Sequence, residues 1–174
     1  MRALVDVVRE VRPQVVVTYD PDGQYGHPDH IMAHRVTTAA VPAAADPDLD
    51  APGEPWRVSK FYWTALSRSA LQAGLDALHA VGESSFDLKS ADDFAGAVDD
   101  ALITTSIDAD DFAAAKVAAM QAHATQIALD GPFFALSNNL GMRVWGVEHF
   151  RLVLGEPGGE RDADGRESDL FAGV

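Results

Sequence analysis

The chain contains no cysteine. Disulfides and thiolate metal sites are therefore excluded, and any bound metal must use histidine and carboxylate ligands. Cations are scarce too: three lysines (Lys60, Lys89, Lys116) and ten arginines face 27 acidic residues, for a formal net charge of −14. So acidic a chain, with no cluster of cations, is not built to grip nucleic-acid phosphates. No apolar run approaches the ~20 residues of a membrane span. The segment 1–12 alternates charge with Leu and Val, and does not form the apolar stretch of a secretory leader. These absences point to a cytoplasmic protein with neither a nucleic-acid nor a membrane partner, and leave the oligomeric state open. What remains is ample for a core: 174 residues, 47% of them hydrophobic, suit one ordinary domain or a large part of a bigger one.

Periodicity organises the chain. Leu4, Val8 and Val11 share a helical face, predicting an amphipathic helix over residues 2–12 that Pro13 stops. The β-branched run at 14–19 reads as a central parallel strand buried on both faces. Residues 20–27 form a loop, and Pro28 opens a helix over 28–41. Residues 42–56 read as a surface connection. Phe61, Trp63 and Ala65 alternate with Lys60, Tyr62 and Thr64, which predicts a half-exposed strand over 57–65. A leucine stripe predicts a helix at 69–81, and 82–100 reads as irregular. A strand at 101–106 and a helix over 109–128 capped by Asp108 follow. A last strand falls at 144–154, and 155–174 reads as a mobile acidic tail, of which Leu170 and Phe171 could tuck back. The fold class is α/β: a partial Rossmann-like parallel sheet with a C-terminal α+β portion, its early strands without counterpart.

The densest chemistry is Tyr25-Gly26-His27-Pro28-Asp29-His30, at a strand-to-helix junction. In open α/β sheets such junctions collect ligands and catalytic groups. With Pro28 at the first helical position, His27 sits near the N-cap and His30 in the first turn. His34 then shares a face with His30. Neutral imidazole is a common metal ligand, and Asp29 suits a supporting group that orients a ring N–H. The plainer alternatives stand beside this. An imidazole at a helix start can simply cap it, and an aspartate in the first turn complements the dipole. His34 reads as a surface or packed residue. His79, His123 and His149 are isolated, with a local hydrogen bond the default for His123.

The stretch Thr18-Tyr-Asp-Pro-Asp-Gly-Gln-Tyr-Gly-His-Pro-Asp-His30 resembles the second signature of the zinc-dependent N-acetylglucosaminyl deacetylases, the LmbE-like or PIG-L superfamily. Ala101–Ala109, Ala115–Gln126, Phe133–Asn139 and Asp169–Gly173 resemble the C-terminal half of one branch. That branch removes acetate from N-acetylglucosaminyl-inositol in mycothiol biosynthesis. Gly26 separates it from the sister mycothiol S-conjugate amidases, for which proline is expected there. The resemblance implies residues 1–174 as the C-terminal portion of a single domain and a zinc cofactor. It implies His30 as a zinc ligand and His27 as the imidazole that stabilises the intermediate or protonates the leaving amine. Asp29 would hold His27, Tyr25 would polarise the amide carbonyl, and Asn138 or Asn139 would border the sugar pocket. The substrate would be a small amino-sugar inositol.

One departure matters. The family's first signature, Ala-His-Pro-Asp-Asp, supplies two zinc ligands and the general base, and it occurs nowhere in this sequence. Three readings follow: a deacetylase read without its first part, with little activity and marginal stability alone; a non-catalytic remnant; or a self-contained metal site built from His27, His30, His34 and a nearby aspartate.

Overall fold

The computed structural model describes residues 1–80, 82, 88–126 and 146–174. Its element order is α1 (Arg2–Val11), β1 (Val15–Thr18), a one-turn α2 (Gly23–Gly26), α3 (Pro28–Ala44), β2 (Lys60–Ser67), α4 (Arg68–Ala80), β3 (Ala97–Val98), β4 (Thr105–Asp108), α5 (Ala113–Ala122) and β5 (Val147–Leu154). The strands form one sheet in the order β1-β2-β5-β4, with β3 beside the end of β2. The architecture is mixed α/β. β1 and β2 run parallel, while β5 is antiparallel to both β2 and β4.

Local chemistry explains most of these bounds. α1 ends where Arg12 turns left-handed (φ 52°, ψ 53°) just before Pro13. Pro28 at the start of α3 has no N–H to lose and is already set to helical φ. The Val5 and Val8 face of α1 and the Ala40, Val41 and Ala44 face of α3 bury themselves against Phe61, with Trp63 and Val16 packed on the same cluster. Asp100 accepts from the Ser69 amide and both the Ser67 and Ser69 hydroxyls, tying the start of α4 to a distant turn.

Several expectations need correction. β1 is not buried on both faces: among the described residues it pairs only with β2, and Val17 is 41% exposed. β2 is not half-exposed. Its alternation is as the sequence implies, but Lys60, Phe61 and Tyr62 are all buried, because both faces are covered. Strand β4 starts later than 101–106, since residues 100–102 form a 3-10 turn. Asp108 ends β4 and accepts from the Asp110 amide ahead of α5, so it caps a turn rather than the helix itself.

The second face of β2 is covered by the segment expected to be a mobile tail. Glu167 is fully buried. Its carboxylate accepts from Lys60 Nζ (2.6 Å), Tyr62 OH (3.0 Å), Thr105 Oγ1 (3.0 Å) and the Gly158 amide (2.6 Å). Its backbone also pairs with the chain around Thr105: its N–H donates to Thr104 O, and its carbonyl accepts from the Ser106 amide. Burial alone would raise this carboxyl. The four hydrogen bonds outweigh it and hold the group below its ordinary value. Burial and the neighbouring carboxylate push the Tyr62 phenol well above its usual range.

Candidate active site

Because β1 and β2 are parallel, the chain leaving β1 emerges at the carboxyl edge of that pair, where open α/β sheets place their sites. The turn there is built from its own backbone. Asp20 Oδ1 accepts the Gln24 amide at 2.8 Å, and the Gly23 amide donates to Asp20 O at 3.1 Å. Gly23 has φ +63°, and a Cβ there would lie 2.8 Å from His30 Cβ. Only glycine lets the turn close onto the first turn of α3. Gln24 adopts φ 62°, ψ −58°, a conformation costly for a residue with a side chain. Gly96 lies directly beneath: a Cβ on it would fall 1.8 Å from Gln24 O.

On this turn stand the residues that the sequence singled out. His27 caps α3, its Nδ1 accepting the Asp29 amide at 3.2 Å. The Asp29 carboxylate is mostly exposed and lies 3.9 Å from the same nitrogen, outside hydrogen-bond reach. His30 Nδ1 lies 3.3 Å from Gly23 O. Its ring stacks on Tyr19, with centroids 4.0 Å apart and planes 6° from parallel. Tyr25 meets His30 edge-on at 5.0 Å and His27 at 6.0 Å, and is 57% exposed. The two imidazole centroids are 5.1 Å apart. Tyr25, His27, Asp29 and His30 are thus brought together. Asn138 and Asn139 lie outside the described residues.

The bonds assign the protons. A main-chain carbonyl only accepts, so His30 Nδ1 carries hydrogen and Nε2 offers its lone pair. An amide N–H only donates, so neutral His27 accepts at Nδ1 and carries its hydrogen on Nε2. The two neighbouring rings therefore carry different groups at Nε2, a lone pair on His30 and an N–H on neutral His27.

Among the described residues His34 is not part of a ligand set. It is buried, its Nδ1 is 2.8 Å from Tyr19 O, and its ring packs edge-on against Trp63. Among the described residues no group of three or more His, Cys, Asp or Glu side chains is placed to hold a metal. The reading of a self-contained site using His34 and an aspartate is therefore set aside, since His34 serves Tyr19 and Asp20 serves the turn. The donor set fits zinc in part, through His30 Nε2. His123 makes the local bond expected, to Ala119 O at 2.8 Å. The sequence reading passed over Tyr19, Gly23 and Gly96. A tyrosine directly after a strand and a glycine flanking the histidine loop were the available signals for Tyr19 and Gly23, whereas Gly96, distant in sequence, offered none.

A family model described as PIG-L, GlcNAc-PI de-N-acetylase, matches residues 1–41, the span that contains the turn. A Geodermatophilus obscurus protein named 1D-myo-inositol 2-acetamido-2-deoxy-alpha-D-glucopyranoside deacetylase is 57% identical over 98% of this chain. The chain belongs to this de-N-acetylase family. Relatives of the same name from Frankia alni and Streptomyces avermitilis are 54% and 52% identical, again over 98% of this chain. The chain spans 58–60% of the length of these three curated relatives. The crystal structure of the conserved protein TT1542 from Thermus thermophilus shares the fold, with a TM-score of 0.54 at 21% identity, over 91% of this chain and 59% of that one. Among the described residues no helix is long and apolar enough to cross a membrane.

Proposed function

We propose that this family member carries the imidazole half of a zinc-dependent deacetylase site, acting in the cytoplasm on the acetamide of N-acetylglucosaminyl-inositol. The observation that carries the reading is the pair of Nδ1 contacts, His30 to the Gly23 carbonyl and His27 to the Asp29 amide, which leave a lone pair at Nε2 of His30 and an N–H at Nε2 of neutral His27. A bound zinc would polarise the acetamide carbonyl and make water acidic enough to attack it near neutral pH.

The chain's own residues do the remaining work. His30 is the ligand this chain contributes, its orientation held by Gly23 O and the Tyr19 ring. His27 Nε2–H stands beside it as donor to the developing oxyanion and to the departing amine. When His27 takes a second proton, Nδ1 can no longer accept from the Asp29 amide. It then faces the Asp29 carboxylate, 3.9 Å away. To Tyr25, which is exposed on the turn, we assign the bond to the carbonyl oxygen of an incoming acetamide. Gly26 supports the deacetylase reading over the amidase one. Its φ of +83° cannot be reached by proline, whose ring fixes φ near −65°.

The test follows from what the sequence contains. The purified chain, which lacks Ala-His-Pro-Asp-Asp, should retain zinc weakly and release no amine from N-acetylglucosaminyl-inositol. Joined in frame behind a segment carrying that signature, it should turn over, and His30→Ala should abolish zinc retention. Robust turnover by the chain alone, or undiminished zinc binding by His30→Ala, overturns the reading.

A further inference from the structure

His34 is a buried imidazole that the proposed chemistry does not use, yet it is anchored on two sides. Its ring centroid sits 5.0 Å from that of Trp63 at 69°, against the helix-packed face of β2. Its Nδ1 is 2.8 Å from the carbonyl of Tyr19, so this nitrogen must carry hydrogen and donate. Tyr19 is the first residue beyond β1, and its ring is the plate on which His30 stacks at 4.0 Å and 6°. Trp63, His34, Tyr19 and His30 therefore form one continuous chain of contacts from the core to the site.

We propose that His34 is a positioning residue for the metal ligand. By pinning the Tyr19 main chain it fixes the plane of the ring beneath His30, and so the direction of the His30 Nε2 lone pair. This rests on the reading of His30 as a zinc ligand. Groups that orient a ligating imidazole typically govern metal affinity 10–100-fold, although here the orienting contact is a stacked ring rather than a hydrogen bond. The geometry also explains why this position needs a hydrogen-bond donor. Leucine fills the space but cannot donate, whereas asparagine places an amide N–H close to where Nδ1–H lies.

Nitrogen-15 NMR of histidine-labelled chain decides the first step without any variant. His34 should be the Nδ1–H tautomer, and finding Nε2–H alone overturns the proposal. In the wild type the face of Tyr19 should move the His30 ring protons upfield. His34→Leu should shift them back toward free-histidine positions while unfolding stays cooperative. It should also weaken binding of the zinc ion alone about tenfold. His34→Asn should restore both readouts, which a merely space-filling role would not require. Unchanged ring shifts in His34→Leu, or ring shifts that His34→Asn leaves displaced, overturn the proposal. Should His34→Leu not fold, the tautomer and His34→Asn carry the decision. His30→Ala separates the two claims. If zinc binding survives it, the ligand assignment fails, while the stack between Tyr19 and its imidazole is still read from the wild-type ring shifts.

Discussion

The histidine turn and the Glu167 tie are built on opposite plans. The turn lies within residues 19–34, exposes Tyr25 and His27, and is held by backbone bonds, a strained Gln24 and close glycine contacts. The tie joins Lys60 to Glu167 across 107 positions, and both side chains are buried. A local device presents polar groups to solvent for use. A non-local one consumes every polar group it contains. Stability should therefore reside mainly in the tie and chemistry in the turn.

The largest expected effect tests the tie. Glu167→Ala leaves Lys60 buried and unpaired, which should cost about 3–5 kcal/mol in chemical denaturation. Replacing both partners, Lys60→Met with Glu167→Leu, should recover only part of that loss, because Tyr62 OH, Thr105 Oγ1 and the Gly158 amide still lose their acceptor. The His30 ring shifts should stay put in any variant that folds. A displaced histidine turn would break the separation between the two regions.

Arg9 offers a second buried cation to set against Lys60, satisfied without any carboxylate. Its guanidinium donates to the carbonyls of Ala44, Asp46, Leu49, Ala51 and Gly53. Arg9→Met should cost about 1–3 kcal/mol, because it removes the donor of the buried Ala44 carbonyl and of four partly buried ones. It should also loosen residues 44–53 in hydrogen exchange, again without touching the turn.

The acid limb of stability should reflect the tie's side of the molecule in two stages. Burial, then the nearby Arg166 charge, hold His149 below its ordinary 6.5. The fold prefers that ring neutral, so stability begins to fall as pH drops below 6.5. Asp100 is held at about 2. Burial opposes this, but bonds from Ser67 and Ser69 and the Arg166 charge prevail. Its contribution is intact above its ordinary 3.8 and is lost as pH falls through about 2. Glu167, also held low, loses its contribution on the same side. His149→Gln should remove the upper stage of a pH–stability curve and leave the lower one.

How much of this was legible follows the same division. The starts of α1, α3 and α4, the strand before the turn and the grouping of Tyr25, His27, Asp29 and His30 could be read from the sequence, because neighbours in the chain cause them, whereas α5 starts at Ala113, four residues later than expected. The exposure of β1 could not, since it depends on which strands lie beside it. Nor could the burial of Lys60 and Tyr62: a lysine alternating with aromatics has the pattern of a solvated face until a distant glutamate covers it. Gly96 was equally silent. It sits in a stretch that reads as irregular, and its significance arises only from what lies above it. Gly96→Ala should cost about 2 kcal/mol, because either the backbone near Gln24 or the glycine's own segment must move. Unlike Glu167→Ala, it should displace the His30 ring signals.

The smallest stability effect should come from the residue with the largest chemical one. His27 caps α3 through a single bond from the Asp29 amide and is otherwise half-exposed. Losing a cap costs about 1 kcal/mol, so His27→Ala should lower the melting temperature by only a few degrees. His27→Asn should hold the cap through its side-chain oxygen and leave the melting temperature near that of wild type. Neither variant retains a group that takes and gives a proton near neutral pH. In the chain completed by the Ala-His-Pro-Asp-Asp segment, both should therefore lose turnover by about 10²-fold or more. Zinc content should remain, because His30 is untouched. If His27→Asn keeps turnover as well as the cap, His27 is a structural cap and no more, and the division between the turn and the tie loses its chemical meaning.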